Sequence, residues 1–250
     1  MRLKDKVALI TGASSGIGFA SAKCFLAEGA EVIITGQDSA RLTAAVEQLG
    51  GKVHAICGDM GRLKDIEAMA QEVRSRYDRL DVLFLNAGVA PRHSLAEITE
   101  TDFDRLFAVN VKGVVFPVQK LEPLLSDGAS VIVTTSINNM IGMEKTHLYS
   151  ATKAAARALV RMLANELSAR GIRVNAISPG PTATAMIDKL EMSAEDITRM
   201  FNTIMPRIPL GRAASADEQA QVALFLASSA SSYITGGEIR SDGGWIDVMS

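Results

Sequence analysis

The chain has 250 residues, of which 48% are apolar and 22% charged; a chain of this size buries roughly three quarters of its unfolded surface, so disorder is excluded. The 26 Lys and Arg residues are balanced by 28 Asp and Glu residues, which leaves a net charge of −2 and no excess that would attract nucleic acid or a membrane surface. At the start, the apolar run at residues 7–10 ends at Thr11-Gly12 and is too short for a signal peptide. No later stretch reaches the roughly 18 uncharged apolar residues of a membrane span. We therefore predict a soluble, cytoplasmic protein.

Short β-branched runs alternate along the chain with segments of helical period. Strands are predicted at residues 7–10, 32–35, 53–57, 82–85, 131–134, 174–177 and 238–240. Most are continuously apolar, as a sheet covered on both faces requires. Between them run helical stripes such as Leu42, Val46 and Leu49, or Ile66, Met69, Ala70, Val73 and Tyr77. This alternation predicts a single α/β domain over residues 1–250, a doubly wound, mostly parallel Rossmann-type sheet with ligands at the carboxyl ends of its strands.

The longest irregular segment runs from residue 178 to 215, ahead of a helix that begins near Ala216. A connection of this length is usually functional, and we predict a substrate lid at about residues 181–208. Six of the 11 methionines lie here or just before Tyr149, with other large apolar residues: Met140, Met143, Met186, Ile187, Leu190, Met192, Met200, Phe201, Ile204 and Met205. They predict either a deformable apolar pocket or, the better explanation for most of them, simple packing of the lid.

Neither the cysteines nor the histidines form a motif. Cys24 and Cys57 lie in apolar surroundings without a Cys-x-x-Cys pair, and we interpret both as small buried hydrophobes. None of the three histidines has metal-ligand spacing, so no metal site is predicted. His147, two residues before Tyr149, is a candidate either for substrate contact or for the surface.

The first predicted strand is followed by the glycine-rich sequence Thr11-Gly12-Ala13-Ser14-Ser15-Gly16-Ile17-Gly18. The first glycine permits a tight turn, the second lets the backbone approach a pyrophosphate, and the third packs the helix on the sheet. The free amides at the start of that helix face the anion. Because the loop follows strand one of an alternating chain, it predicts a dinucleotide site formed by Gly12, Ser14, Ser15, Gly16, Ile17 and Gly18.

A second set of residues follows the fifth strand. Tyr149 and Lys153 are four apart on a predicted helix and therefore on one face, and Ser136 lies 13 residues before the tyrosine. Together they could surround one carbonyl. With the glycine loop, they resemble the short-chain dehydrogenase/reductase family, whose motifs are T-G-x-x-x-G-x-G, N-A-G, a Ser, Y-x-x-x-K and P-G.

The resemblance covers nearly the whole chain. Further motifs occur in the family's order, namely Asn86-Ala87-Gly88, Asn110, Pro179-Gly180 with Thr182 and Thr184, and Ser241-Asp242-Gly243-Gly244. Leu85 departs from the pattern, because many members have an Asn there. The resemblance implies cofactor contacts from Asn86, Ala87, Gly88, Tyr149, Lys153, Pro179, Gly180, Thr182 and Thr184.

The resemblance also implies a reaction, the transfer of hydride between NAD(P)(H) and a carbonyl or secondary alcohol, with Tyr149 as general acid/base. A phenol with a pKa of about 10 is a poor proton donor at neutral pH, and two nearby positive charges, an ammonium and oxidised nicotinamide, would lower that pKa. Lys153 is the expected ammonium, and in the family it also holds the nicotinamide ribose. Ser136 is expected to hydrogen-bond the substrate oxygen, and Asn110 to support a proton-relaying water.

The choice between NADP(H) and NAD(H) depends on the residues after the second strand. NAD-dependent members place an Asp there, whereas Gly36 and Gln37 take its position here. The missing carboxylate removes repulsion of a 2′-phosphate and Arg41 is a candidate cation, which together favour NADP(H). Against this, Ser15 stands where many NADP-dependent members have Lys or Arg.

Three further acidic or neighbouring residues belong to the predicted cofactor end. Asp38 is interpreted as a helix N-cap, and a register shift of two is the alternative that would put its carboxylate at the ribose. Asp59 resembles the family's adenine-contacting acid, and Met60 beside it completes the set.

The predicted substrate is a small or medium apolar ketone, aldehyde or secondary alcohol. Similar chains include 3-oxoacyl thioester reductases and sugar or steroid alcohol dehydrogenases, which share all these motifs. A catalytically silent dinucleotide sensor is the alternative that the complete set of Ser136, Tyr149, Lys153 and Asn110 argues against. Family members usually form homotetramers through the helices bearing Asn110 and Tyr149, and we expect a homotetramer here.

Overall fold

The computed structural model describes residues 1–183, 195, 199 and 202–248 of the chain. The strands within this part are β1 (Val7–Ile10), β2 (Glu31–Gly36), β3 (Val53–Cys57), β4 (Leu80–Leu85), β5 (Leu125–Thr134), β6 (Arg173–Pro179), β7 (Thr182–Ala183), β8 (Ala214–Ser215) and β9 (Glu238–Ser241). Seven of them form one sheet in the order β3-β2-β1-β4-β5-β6-β9. Every neighbouring pair in that sheet is parallel.

Helices cover both faces of this sheet. Their bounds are α1 (Gly16–Ala27), α2 (Ser39–Leu49), α3 (Leu63–Arg76), α4 (Glu100–Phe107), α5 (Gly113–Leu121), α6 (His147–Leu167), α7 (Ala216–Ala227) and α8 (Trp245–Val248). α3, α5 and α6 pack on one face, where Met69 and Leu9 belong to the same core. α1, α2 and α7 pack on the other, where Phe25 and Ile10 meet. Because successive strand residues enter opposite cores, the strands are apolar throughout, and the predicted doubly wound fold is confirmed.

The predicted strand centres agree with the structure, but some ends differ. β5 begins at Leu125 rather than at residue 131, because its register against β4 shifts after the pair Leu80 and Leu125. The shift spans the exposed Asp127 and Gly128, whose polar sequence gave no strand signal. At the end of β3, Cys57 is exposed and only Cys24 is half-buried, so the interpretation of both cysteines as buried was wrong.

The segment predicted to be irregular is partly ordered by strand pairing. β6 continues to Pro179, and β7 pairs in parallel with β8, which joins the two ends of the segment. The centre of the predicted lid, residues 184–194, 196–198 and 200–201, lies outside the described residues. The following helix α7 begins at Ala216, as expected.

α4 and α5 are joined by a π-helical turn over Ala108–Lys112, where the N–H of Gly113 donates to the carbonyl of Ala108. Such a turn holds one residue more than an α-helix needs and is frequent at functional sites. It buries Asn110, which is 1% exposed. The sequence suggested Pro117 as a cause of bending, but the irregular turn precedes Pro117, which lies inside α5.

Candidate active site

A cleft of about 600 Å³ opens at the carboxyl ends of the strands, where this fold binds ligands. Most of the predicted site residues line it: Gly12, Ser14, Ser15, Gly16, Ile17, Gly36, Gln37, Arg41, Met60, Asn86, Ala87, Gly88, Ser136, Tyr149, Lys153, Pro179, Gly180 and Thr182. Gly18, Asp59 and Asn110 are not among the lining residues. Thr184 lies outside the described residues.

The glycine loop at one end of the cleft has no room for side chains. Gly12 has a φ of +64°, and a Cβ there would lie 2.7 Å from the Cα of Ala87. A Cβ on Gly18 would lie 2.6 Å from the Nδ2 of Asn86. That amide donates to the carbonyls of Thr11 and Gly12 at 3.2 and 3.1 Å, while the Thr11 hydroxyl accepts the N–H groups of Asn86 and Ala87. Asn86 therefore ties the glycine loop to the end of β4.

The start of α1 fits an anionic group. Ser15, the N-cap residue, makes no side-chain hydrogen bond to the first turn, and that turn contains no acidic residue. The first amides of a helix lack intrahelical partners and carry the positive end of the helix dipole. Ser15, Gly16 and Ile17 all line the cleft. These residues could hold the pyrophosphate of a dinucleotide.

Asp59 organises the far end of the cleft without lining it. Its carboxylate accepts hydrogen bonds from the Gln37 amide at 3.0 Å, the Arg105 guanidinium at 2.6 Å and the N–H of Gly61 at 2.8 Å. A carboxylate only accepts, so the amide nitrogen of Gln37 is the atom that faces it. The carbonyl oxygen of Gln37 is therefore the atom left to meet a ligand.

Arg41 and Asp38 bring opposite charges to the same end of the cleft. Asp38 caps α2, as predicted, by accepting the N–H of Arg41 at 3.0 Å. Its second oxygen lies 3.6 Å from the Nε of Arg41, whose side chain is 60% exposed. Gly36 contributes no side chain beside this pair. The cation predicted for a 2′-phosphate is thus present, and a carboxylate accompanies it.

At the other end of the cleft, β5 and α6 bring Ser136, Tyr149 and Lys153 together. Ser136 follows β5, and its hydroxyl hydrogen-bonds Tyr149. Lys153 lies one turn beyond Tyr149 on α6, with its Nζ 5.6 Å from the centroid of the phenol ring. This ammonium is 4% exposed and donates to the carbonyl of Thr134 at 2.7 Å. The side chains predicted to surround a carbonyl therefore share one wall of the cleft.

Burial shifts the pKa of both ionisable groups in this set. It raises the pKa of Tyr149 above its ordinary value, while the hydrogen bond from Ser136 acts in the opposite direction. It lowers the pKa of Lys153 to about 8. The sequence led us to expect that Lys153 lowers the pKa of Tyr149, but in the protein alone burial dominates, because the ammonium donates to Thr134 instead of to the phenol.

Asn110 is held behind this wall by three hydrogen bonds. Its Nδ2 donates to the carbonyl of Val89 at 2.9 Å and to the hydroxyl of Thr152 at 3.0 Å, and its Oδ1 accepts the N–H of Val89 at 2.9 Å. Both amide protons are therefore used. A Cβ on Gly88 would lie 3.4 Å from this Oδ1 and 3.5 Å from the Nζ of Lys153, so Asn110 and Lys153 flank Gly88.

Known proteins resemble this chain over nearly all of its length. A family model described as enoyl-(acyl carrier protein) reductase matches residues 12–246. A 3-oxoacyl-[acyl-carrier-protein] reductase of Thermotoga maritima is 39% identical and covers 98% of this chain and 100% of its own. The chain belongs to the short-chain dehydrogenase/reductase family. The expected resemblance is confirmed, and with it an oxidoreductase of a family that uses nicotinamide cofactors.

Two more members of the short-chain dehydrogenase/reductase family extend the comparison. Glucose 1-dehydrogenase of Gluconobacter oxydans is 36% identical and covers 97% of this chain and 92% of its own. The crystal structure of a 3-ketoacyl-(acyl-carrier-protein) reductase from Brucella melitensis, complexed with NADH, superposes with a TM-score of 0.88, at 30% identity over 97% of this chain and 99% of that one. Reductases of acyl thioesters and dehydrogenases of sugars are thus both similar to this chain.

Two of the family's sequence motifs meet in this structure. A Cβ on Gly180 would lie 2.7 Å from the Cα of Asp242. The Thr182 hydroxyl donates to the carbonyl of Gly180 at 3.0 Å, and the buried Gln219 donates to both Thr182 and the carbonyl of Ser241. The segment after β6 is therefore fixed against the segment after β9.

Sequence reasoning missed Arg92 and Trp245, which both line the cleft. Trp245 opens α8 and forms a small apolar cluster with Ile137 and Ile208. The cluster also includes predicted lid and loop residues, namely Met143, Ile204 and Met205, which supports packing as the role of these three. Neither residue belongs to a family motif, so no sequence signal could have found them.

The other apolar candidates do not join this cluster. Met140 is 52% exposed, and His147 is exposed and does not line the cleft. Six others lie outside the described residues: Met186, Ile187, Leu190, Met192, Met200 and Phe201.

A buried carboxylate beneath the Ser136 turn was also missed. Glu238, in β9, accepts from the Thr135 hydroxyl at 2.6 Å and the Asn139 amide at 2.7 Å. Its side chain is 6% exposed and lies 3.4 Å from the Nε of Arg157. These contacts hold both sides of the turn that carries Ser136. An acidic residue in an otherwise apolar strand was the available signal.

Metal and membrane features were searched across the part of the chain that the structure describes. No three His, Cys, Asp or Glu side chains come together there in a group that could hold a metal ion. No helix within residues 1–183 and 202–248 is long and apolar enough to cross a membrane.

Proposed function

We propose that this protein is a nicotinamide-dependent oxidoreductase in which Tyr149 donates a proton to, or accepts one from, the oxygen of the substrate. In reduction, hydride from the bound cofactor adds to the carbonyl carbon and the Tyr149 proton goes to the oxygen, which yields the alcohol. The observation that carries the proposal is one cleft that joins an uncapped helix start at the glycine loop to the hydrogen-bonded pair Ser136 and Tyr149.

Each neighbouring residue has a proposed part in moving the proton. Ser136 donates to the phenol oxygen and so helps it to release its proton. The Lys153 ammonium lies beside the ring, where it can hold the ribose and stabilise the phenolate. Asn110 supports a relaying water with the second lone pair of its Oδ1 or with its main-chain carbonyl, because its two amide protons are used.

The test is replacement of Tyr149 by Phe. We expect kcat to fall by ~10²–10⁴-fold, because the proton donor is lost, while the Kd for the cofactor changes little. Tyr233→Phe is the matched control, since Tyr233 is fully exposed. Turnover would be followed by NADPH absorbance with 3-oxoacyl thioesters, sugars and simple ketones. Undiminished turnover in Tyr149→Phe contradicts the mechanism, and a wild type that binds cofactor but turns over nothing favours the silent sensor.

We propose NADP(H) as the preferred cofactor. Gly36 leaves room beside the ribose, and the Arg41 cation lies at the same end of the cleft. Two features oppose this choice and favour NAD(H): the Asp38 carboxylate near Arg41, and the Gln37 amide, whose nitrogen is bound by Asp59. The ratio of kcat/KM for NADPH over NADH is the direct test, and a clear preference for NADH would overturn the proposal.

Three features rest on the sequence alone and stay predictions: the homotetramer, the cytoplasmic location and the lid at residues 181–208. Light scattering tests the first. Limited proteolysis with and without cofactor tests the lid, because a closed lid protects its own bonds from cleavage.

A further inference from the structure

One wall of the cleft at the Tyr149 end carries a positive charge in mainly apolar surroundings. The residues that line this end include Pro91, Ile137, Met143 and Trp245. Arg92 lines it too and is half-buried. Its guanidinium spans the mouth of the loop before α6, where it donates to the main-chain carbonyl of Glu144 at 2.9 Å.

The charge of Arg92 is poorly compensated. A guanidinium has five N–H donors, and the bond to Glu144 is the one hydrogen bond that Arg92 makes within the described residues. Burial lowers its pKa, and the charge of the exposed Glu144 acts in the opposite direction. No carboxylate in residues 1–183 or 202–248 lies within ion-pair distance of it.

Other partly buried arginines are satisfied. Arg157 pairs with the buried Glu238 at 3.4 Å. Arg173 has no carboxylate partner, but it makes four hydrogen bonds, to Leu226, Ser228 and Ser231. Arg92 differs from both, because it is desolvated, largely unpaired and open to a ligand cleft. A planar guanidinium in this situation matches a carboxylate, which it can bind with two parallel hydrogen bonds.

We propose that Arg92 binds a carboxylate on the substrate, so that the preferred substrates are oxo acids and the corresponding hydroxy acids rather than neutral ketones and alcohols. This inference rests on the proposed function, because it concerns the substrate of the same cleft. Lys153, the other cation at this end, is already bound to Thr134. Arg92 thus narrows the predicted apolar substrate to one with an apolar body and an anionic end.

The experiment compares three oxo acids with their methyl esters: pyruvate, acetoacetate and levulinate, which differ in the spacing between carbonyl and carboxylate. For at least one pair, the wild type should have a kcat/KM for the acid that exceeds that for the ester by ~10–100-fold, as expected for a charge-assisted hydrogen bond. In Arg92→Gln this acid-to-ester ratio should fall to about 1, and in Arg92→Lys it should be intermediate. A ratio within one variant cancels general loss of activity.

Arg74→Gln is the matched control. Arg74 is an exposed arginine in the last turn of α3 and also donates to one main-chain carbonyl, that of Lys120. It does not line the cleft, so its loss changes net charge by the same amount without touching the substrate. The acid-to-ester ratio should equal that of the wild type.

A binding measurement keeps the proposal testable if none of these compounds is turned over. Trp245 is the single tryptophan of the chain and lines the cleft, so its fluorescence reports ligands there. Titration of the cofactor-loaded enzyme should give a lower Kd for an acid than for its ester, and Arg92→Gln should abolish the difference. Equal binding of all three acids and their esters would overturn the proposal.

The two proposals fail in different ways. If Tyr149→Phe retains turnover, the proposed chemistry is wrong whatever Arg92 binds. If Tyr149→Phe is inactive but acids and esters are equivalent substrates in both wild type and Arg92→Gln, the chemistry stands and the carboxylate site is wrong.

Discussion

The two ends of the cleft are fixed by different kinds of contact. At the glycine-loop end the backbone is crowded against Ala87 and Asn86, and every anchoring bond is neutral. At the Tyr149 end the side chains are ionisable and desolvated, and burial shifts the pKa of both Tyr149 and Lys153. The first end therefore depends on shape and the second on charge. Substitutions that change volume should act on cofactor binding and stability, and substitutions that change charge should act on turnover.

The largest effect on this comparison is expected from Lys153→Met. The ammonium beside Tyr149 is lost, while an apolar chain of similar length fills its space, so kcat should fall by ~10²–10⁴-fold. The free energy of unfolding should not fall, because a buried charge is removed. Steady-state kinetics and thermal unfolding measure the two quantities, and Lys64→Met, at an exposed residue of α3, is the control. A loss of turnover that came only with unfolding would contradict the assignment of Lys153 to charge rather than shape.

The pH profile should show the titration of the same group. Burial lowers the pKa of Lys153 from 10.5 to about 8, so its ammonium is present below pH 8 and is lost as the pH rises. In the reductive direction kcat/KM should be flat at lower pH and fall by roughly tenfold per unit above the pKa. The profile of Lys153→Met should lack this step, and a step at the same pH in that variant would assign it to another group.

The same shift has a consequence for stability. Below the folded-state pKa of about 8, both folded and unfolded chains carry the Lys153 proton and the cost of its burial is fully present. Between about 8 and 10.5 the folded chain releases the proton while the unfolded chain keeps it. The contribution of Lys153 to the free energy of unfolding should therefore increase with pH in this window. Chemical denaturation of wild type and Lys153→Met across the window measures it by difference.

At the other end, Gly18→Ala tests shape. A Cβ at this residue would lie 2.6 Å from the Nδ2 of Asn86 and from the carbonyl of Gly12, so the loop must move. We expect the free energy of unfolding to fall by ~1–3 kcal/mol and the Kd for the cofactor to rise. Gly142→Ala is the control, because no heavy atom lies within 4 Å of its added Cβ. Equal behaviour of the two variants would contradict the crowding argument.

A similar or smaller effect is expected from Thr152→Val. Thr152 is 0% exposed, and its hydroxyl accepts from Asn110 and donates to the carbonyl of Tyr149. Valine leaves a buried amide donor of Asn110 without a partner, which costs ~1–3 kcal/mol. Thr152→Ser keeps the hydroxyl and should retain most of the stability. Urea denaturation of the three proteins gives the comparison, and equal losses in both variants would point to packing instead.

The smallest effect is expected from Arg41→Gln. Arg41 is 60% exposed and already near Asp38, so its loss should raise the Kd for NADPH by no more than about fivefold. The Kd for NADH should not change, because that cofactor has no 2′-phosphate. Titration at two salt concentrations measures the difference, which should shrink at high salt. An equal change for both cofactors would exclude Arg41 from the 2′ site.

The sequence predicts most of the sheet because each strand is buried on both faces. A run such as Val82 to Leu85 has no polar residue to blur the pattern, whereas the start of β5, with exposed Asp127 and Gly128, follows no periodicity. Asp38 was predicted as a cap because capping is local in sequence. The π turn at Asn110 was not predicted, because it depends on partners from Val89 and Thr152.

The candidate site divides in the same way. Residues that belong to family motifs, from Gly12 to Thr182, were found and most of them line the cleft. Arg92, Trp245 and Glu238 were missed, because tertiary packing alone brings them to the site. The direction of the Tyr149 pKa shift was also beyond reach, since a sequence gives the neighbouring amine but not the burial of the phenol.

The π turn over Ala108–Lys112 makes chain length in this segment a constraint of its own. Deleting one residue would restore a regular helix and rotate everything after it by about 100° about the helix axis. Val114 and Val118 would then leave the core, and Asn110 would turn away from Val89. The adjoining surface loops can gain or lose a residue at little cost, but this buried turn cannot. Variation in length among homologues should therefore be absent from residues 108–121.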